Sequence, residues 1–195
     1  MSAQAPVLLR LASASPRRRE LLASIGLVAE VMPVNIDETP KPGEPAIEYV
    51  LRLARAKAEA GALDTLLPTL GSDTAVVLNG QILGKPIDQA HARQMLEGLS
   101  GRCHQVMTAV AVSGPQGLLS LCVTTQVTLR TIATQEIDAY WATGEPIDKA
   151  GGYAIQGRAA IFVEHLEGSY SAVVGLPLYE TSQLLLRQDV SCWPV

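Results

Sequence analysis

Asp73 is the residue most at odds with its surroundings. It lies in Thr69–Leu78, a run otherwise apolar enough for a buried strand. An unpaired carboxylate there is costly, so it needs a cation, a metal or a catalytic task. A carboxylate accepting backbone amides in a turn is the plainer alternative. Ser13-Ala14-Ser15-Pro16-Arg17-Arg18-Arg19 is the second such place. Three arginines at the start of a helix oppose the positive end of its dipole. An anion resolves that conflict, because free amides, hydroxyls and guanidinium forks all suit phosphate. A solvated basic helix end is the other reading, since arginine favours helices.

Around these two segments lie further charges. Lys57 follows Ala54 by three positions at the edge of an apolar helix face. Lys85 follows the turn that begins after the Asp73 strand, which brings it back toward Asp73. Glu38 sits on a polar loop. Together they could clamp a polyphosphate and offer hard oxygen ligands to Mg²⁺ or Mn²⁺. Gln156 lies in Gly151-Gly152-Tyr153-Ala154-Ile155-Gln156-Gly157. Its amide has the donor and acceptor to read a uracil or thymine edge, or simply to stabilise its loop. No GxxxxGK[ST] or GxGxxG segment occurs, which excludes P-loop and Rossmann phosphate sites.

The elements that must hold these residues are legible in outline. Strands are expected at Val7–Ala12, Leu27–Val34 and Thr69–Leu78. Asn79-Gly80 is a hairpin signal leading into Gln81–Leu83. Helices are expected at Pro16–Gly26, Ala46–Ala60, Asp88–Leu99, Gln135–Thr143 and Leu178–Gln188. In the second, Ile47, Val50, Leu51 and Ala54 share a face. Gln105–Val112 with Leu118–Arg130 reads as a second hairpin, and Ile161–Leu166 with Tyr170–Val174 as a third. The tail after Asp189 reads as loose. Hairpins outnumber strand–helix–strand units, so the expected class is α/β, with a mixed, mainly antiparallel sheet flanked by helices.

Composition narrows the function. The chain has 195 residues, 48% hydrophobic and 17% charged, enough for a sizeable core in one domain spanning 1–195, with two lobes around a cleft allowed. A net charge of −4 and 4% aromatics argue against a nucleic-acid partner. No apolar run reaches the ~18 residues of a membrane span. Arg10 interrupts the short apolar stretch near the start, against a secretory signal. Cys103, Cys122 and Cys192 are odd in number and far apart, so neither disulfides nor zinc are expected, and the cytoplasm is the expected compartment. His91, His104 and His165 form no ligand spacing and read as surface or packing residues.

Five segments, taken in order, resemble the Maf family of nucleoside triphosphate pyrophosphatases. They are Ser13-Ala14-Ser15-Pro16-Arg17-Arg18, Gly71-Ser72-Asp73-Thr74, Gly84-Lys85-Pro86, Lys149 to Gly157, and Gly168-Ser169-Tyr170 with Val173-Val174-Gly175-Leu176-Pro177. The resemblance runs from about Val7 to Leu186. It implies a fold like that of inosine triphosphate pyrophosphatases. It also implies metal-dependent hydrolysis of a nucleoside triphosphate to monophosphate and pyrophosphate, and a homodimer. By resemblance Asp73 is the proton acceptor, with Ser13, Arg18, Glu38, Lys57 and Lys85 as further site residues, and Glu38 and Asp73 as metal ligands. Arg17, Thr74 and Gln156 occupy the positions that separate subgroups, and resemble the branch hydrolysing dTTP and UTP. The sequence departs from the pattern at Ala159-Ala160, where relatives often carry glycine, and at Gly84, where some carry an acid. The alternatives are the same chemistry on a modified nucleotide such as 7-methyl-GTP, or a nucleotide- or nucleic-acid-binding regulator of cell division without catalysis.

Overall fold

The computed structural model describes residues 6–193, so the two ends of the expected 1–195 domain lie outside the described residues. The chain runs β1 (Val7–Leu11), α1 (Pro16–Ser24), β2 (Val28–Val31), α2 (Ala46–Gly61), β3 (Thr69–Leu78), β4 (Gln81–Leu83) and α3 (Gln89–Leu99). It continues β5 (Cys103–Gly114), β6 (Gly117–Leu129), α4 (Thr134–Trp141), β7 (Val163–Glu167), α5 (Tyr170–Val174) and α6 (Leu178–Leu186). Three 3₁₀ turns lie between α4 and β7: Glu145–Asp148, Ala150–Gly152 and Arg158–Phe162. The strand order is β2-β1-β3-β5-β6-β7, with β4 also on β3. The sheet is therefore mixed and mostly antiparallel, as the hairpin signals imply.

Contacts divide the chain into two compact units. The first holds the chain up to Asp73, with Thr108–Cys122 and the stretch from Gly175. Here β1 pairs in parallel with both β2 and β3, through crossovers containing α1 and α2. Leu9, Leu11, Leu22, Leu70, Val110 and Leu185 form its core. The second unit holds Thr74–Met107 and Val123–Val174. Its core gathers Val76, Leu96, Leu99, Val127, Ile137 and Phe162. The β3–β4 turn is made by Asn79 and Gly80, both with positive φ (51° and 79°). That backbone matches the twist of a two-residue hairpin.

Three sequence expectations are corrected. Tyr170–Val174 is helix α5, not the return strand of a third hairpin; β7 pairs instead with β6. Ser169 decides this: its side-chain oxygen accepts the Ala172 amide at 3.2 Å, and its carbonyl accepts that of Val173. The cap starts a turn of helix and overrides the β-preference of Val173-Val174. The tail beyond Asp189 is anchored at its start rather than loose there, and its last two residues lie outside the described ones. Asp189 turns the chain with φ 62°, and Val190 is buried, its amide donating to Leu185. The buried face of α2 is rotated from the expected one. It is Ala46, Val50, Leu53, Ala54, Lys57, Ala58 and Gly61, with Ile47 exposed. Lys57 thus lies within the buried stripe instead of beside it.

Candidate active site

The first unit concentrates charge where β3 meets α2. Gly71 makes this approach possible. A Cβ at Gly71 would lie 2.5 Å from the Ala58 amide nitrogen and closer still to the Ala54 carbonyl. Without a side chain there, α2 packs directly on β3. Lys57 then reaches Asp73, with Nζ 2.8 Å from Oδ1. The same ammonium lies 2.6 Å from Glu38 Oε1. Lys57 and Asp73 are both buried, whereas the Glu38 side chain is 55% exposed. Tyr49 ties down the loop by donating to the Glu38 carbonyl at 3.0 Å.

Burial pushes the Asp73 carboxyl above its ordinary range, against the opposing pull of Lys57 and Arg18. A carboxylate held this way is a better proton acceptor than one in water. The Tyr49 phenol is pushed up to about 12, chiefly by burial and then by the negative charge of Asp73 and Glu38.

The arginines at the start of α1 have distinct environments. Arg18 Nε donates to the Gly175 carbonyl at 2.8 Å, and Nη1 to Ser13 Oγ at 3.1 Å. Ser13 Oγ also accepts the Ser15 amide, and Ser15 caps the helix by accepting the Arg18 amide. Burial lowers the Arg18 pKa, with Asp73 acting in the opposite sense. Arg17 is half-buried beside it, and Arg19 is exposed. Ser72 extends this network. Its hydroxyl donates to the Ala109 carbonyl at 2.8 Å, and Gly175, the acceptor of Arg18, lies 3.1 Å from it. Ser72 and Gly175 stand in two of the family segments, but sequence reasoning gave them no role at the site, since the acceptors of Ser72 lie 37 and 103 positions away.

The structure therefore brings Ser13, Arg18, Glu38, Lys57 and Asp73 into one connected cluster, with Arg17 adjacent. Thr74, Lys85 and Gln156 belong to the second unit. Thr74 is half-buried on β3, and Lys85 and Gln156 are exposed. Gln156 makes no hydrogen bond within the described residues. Lys85 stands two positions beyond Leu83, the end of β4, which pairs with Val76.

Glu38 and Asp73 offer hard oxygen donors, with Oε1 and Oδ1 respectively facing Lys57. One or two carboxylates with substrate phosphates completing the shell suit Mg²⁺ or Mn²⁺. Among the described residues no group of three or more His, Cys, Asp or Glu could hold an ion by itself. The two carboxylates are donors that fit a cation whose remaining ligands come from substrate phosphates. His104 is buried in the second unit, its Nε2 2.7 Å from the Tyr153 hydroxyl, and Cys103, Cys122 and Cys192 form no disulfide.

A protein-family profile described as Maf-like protein matches residues 8–188. A dTTP/UTP pyrophosphatase from Yersinia pestis is 57% identical over 179 residues, covering 91% of each chain. A dTTP/UTP pyrophosphatase from Shigella sonnei is 55% identical over the same share. Among solved structures, a nucleoside-triphosphatase / dITP/XTP pyrophosphatase from Mycobacterium abscessus is 16% identical with a TM-score of 0.40. That match covers 62% of this chain and 72% of the other.

Proposed function

Since the chain belongs to the Maf family, we propose that it hydrolyses dTTP and UTP to the nucleoside monophosphate and pyrophosphate. The observation that carries this reading is the buried Asp73 carboxylate, raised in basicity and held by Lys57. Relatives more than half identical over nine-tenths of their length bear the dTTP/UTP pyrophosphatase name.

In this mechanism Asp73 takes a proton from a water molecule. The water oxygen bonds to the α-phosphorus as the bond to the α–β bridging oxygen breaks. Pyrophosphate leaves with that electron pair. Ser13, Arg17, Arg18 and the start of α1 bind phosphate oxygens through hydroxyl, guanidinium and amide donors. Arg18, Lys57 and Lys85 neutralise charge that develops on the phosphates and the leaving group. Mg²⁺ or Mn²⁺, held by Glu38 and Asp73 together with the triphosphate, would supply further charge neutralisation. Arg17, Thr74 and Gln156 select the pyrimidine.

The enzyme works in the cytoplasm without a nucleic-acid partner, a reading supported by the net charge of −4 and by cysteines that are odd in number and far apart in the sequence. No helix among the described residues is long and apolar enough to cross a membrane. A homodimer rests on family resemblance, and sedimentation of the purified chain tests it. Pyrophosphate release across canonical and modified triphosphates, with and without Mg²⁺ or Mn²⁺, tests the activity. Metal-dependent preference for dTTP and UTP is expected. Preference for 7-methyl-GTP, or no release at all, would contradict the reading.

A further inference from the structure

The turn that carries Gln156 is built around a side chain to which nothing above gives a role. Gly144, with φ 75°, ends the segment after α4 and places Glu145 at the start of a 3₁₀ turn. Glu145 Oε1 accepts the Tyr140 hydroxyl at 2.7 Å, and Oε2 accepts the Arg158 amide at 3.0 Å. The Tyr140 hydroxyl in turn accepts the Ala154 amide at 3.1 Å. One carboxylate and one phenol thus pin both ends of the segment Ala154–Arg158. The segment closes on itself through the Gly157 amide and the Ala154 carbonyl, 3.0 Å apart.

Three further observations show that this is a fitted clamp. A Cβ on Gly157 would overlap the Glu145 carboxylate, so a side chain there would have to push that carboxylate out of the position it holds. Tyr140 is itself fixed, buried at 3% exposure and edge-on to Phe162. Ala154 and Ile155 are buried on one side of Gln156 and Ala159 is buried on the other, while Gln156 is exposed. Burial raises the Glu145 pKa, but the Arg158 amide, Tyr140 and the Ala159 amide outweigh it, so the group stays ionised and accepting. The clamp therefore orders the backbone and leaves the Gln156 amide uncommitted.

We propose that Glu145, acting with Tyr140, is a positioning residue for base selection, fixing the turn that presents Gln156 to the substrate base. It does not touch the substrate. This rests on the reading of Gln156 as the group that distinguishes uracil and thymine from other bases. An amide discriminates by a hydrogen-bond pattern, and such discrimination decays when the amide is free to wander.

The test compares kcat/KM for UTP with that for CTP, two triphosphates that differ at the base edge. It uses the full-length chain, Gln156→Ala, Glu145→Gln, Tyr140→Phe and the double variant Glu145→Gln/Gln156→Ala. Glu145→Gln keeps the side-chain length but replaces one acceptor with a donor. Tyr140→Phe removes only the bridging hydroxyl and is the milder change. We expect each to lower the UTP/CTP ratio about tenfold, the effect of one misplaced hydrogen-bond pair. The acid limb of the kcat profile, set by Asp73, should stay in place. The double variant should lose no more selectivity than Gln156→Ala alone. If Gln156→Ala lowers the ratio but Glu145→Gln and Tyr140→Phe leave it unchanged, the positioning role is wrong. A parallel loss for both substrates, or additive losses in the double variant, would overturn it equally. An unchanged ratio in Gln156→Ala would remove the base-reading assignment and the proposal with it.

Discussion

The Lys57 ammonium stands 2.8 Å from Asp73 Oδ1, both side chains buried where α2 crosses β3. Each is the buried partner of the other, with Glu38 as a second, exposed partner of Lys57 and Arg18 as a further cation acting on Asp73. Removing one partner of a buried pair costs about 3–5 kcal/mol, because the remaining charge has lost water and its nearest counterion. Lys57→Met should therefore destabilise the protein by that order in urea titrations at neutral pH. The loss should shrink as pH falls and Asp73 becomes protonated. A loss that does not change with pH would mean that the pair is not what Lys57 contributes.

Asp73 accepts a proton only when ionised. Burial raises its pKa above 3.8 in the folded chain, so protonation persists to higher pH than in a free carboxyl. The acid limb of kcat/KM should accordingly have its midpoint above 3.8. Glu38→Gln removes a neighbouring negative charge that itself raises the Asp73 pKa, so it should shift the limb downward in whatever activity remains. Rate measurements between acid and neutral pH check both directions.

Gly71→Ala places a methyl group against the backbone of α2. Overpacking of this kind costs about 1–3 kcal/mol. Because relief requires α2 to move away from β3, activity should fall further than the stability loss alone explains. Thermal unfolding and pyrophosphate release, measured on the same preparation, give the two values.

His104 provides a pH dependence separate from catalysis. Burial lowers its pKa from 6.5 to about 4, so the folded chain holds it neutral. Below 6.5 the unfolded chain takes up a proton that the folded chain refuses. Stability should thus be complete above pH 6.5 and fall by about 3 kcal/mol as pH drops toward 4. His104→Gln should flatten that part of the curve in urea midpoints taken across the range.

The local features of the chain were legible where neighbours in sequence decide them. Asn79-Gly80 announces its hairpin, Pro16 after Ser15 announces α1, and an aspartate in an apolar strand announces Asp73. The features that escaped depend on distant partners. Ser169 competes with two β-branched residues for α5, and sequence composition favours the losing side. Val190 is drawn in by Leu185, and Ile47 gives way to Leu53 on α2 because the packing of β3 sets the rotation of the helix. Gly71, Ser72 and Glu145 look like ordinary strand and turn residues. Their importance lies in what approaches them: the α2 backbone, the Gly175 carbonyl and the Arg158 amide.

Hydrolysis of UTP in oxygen-18 water, comparing the native chain with Asp73→Asn, tests the central claim most directly. If Asp73 drives water onto the α-phosphorus, the label enters uridine monophosphate and not pyrophosphate. Asp73→Asn, nearly identical in shape, should then be slower by about 10²–10⁴-fold. Label in pyrophosphate, or full turnover by Asp73→Asn, would contradict the account.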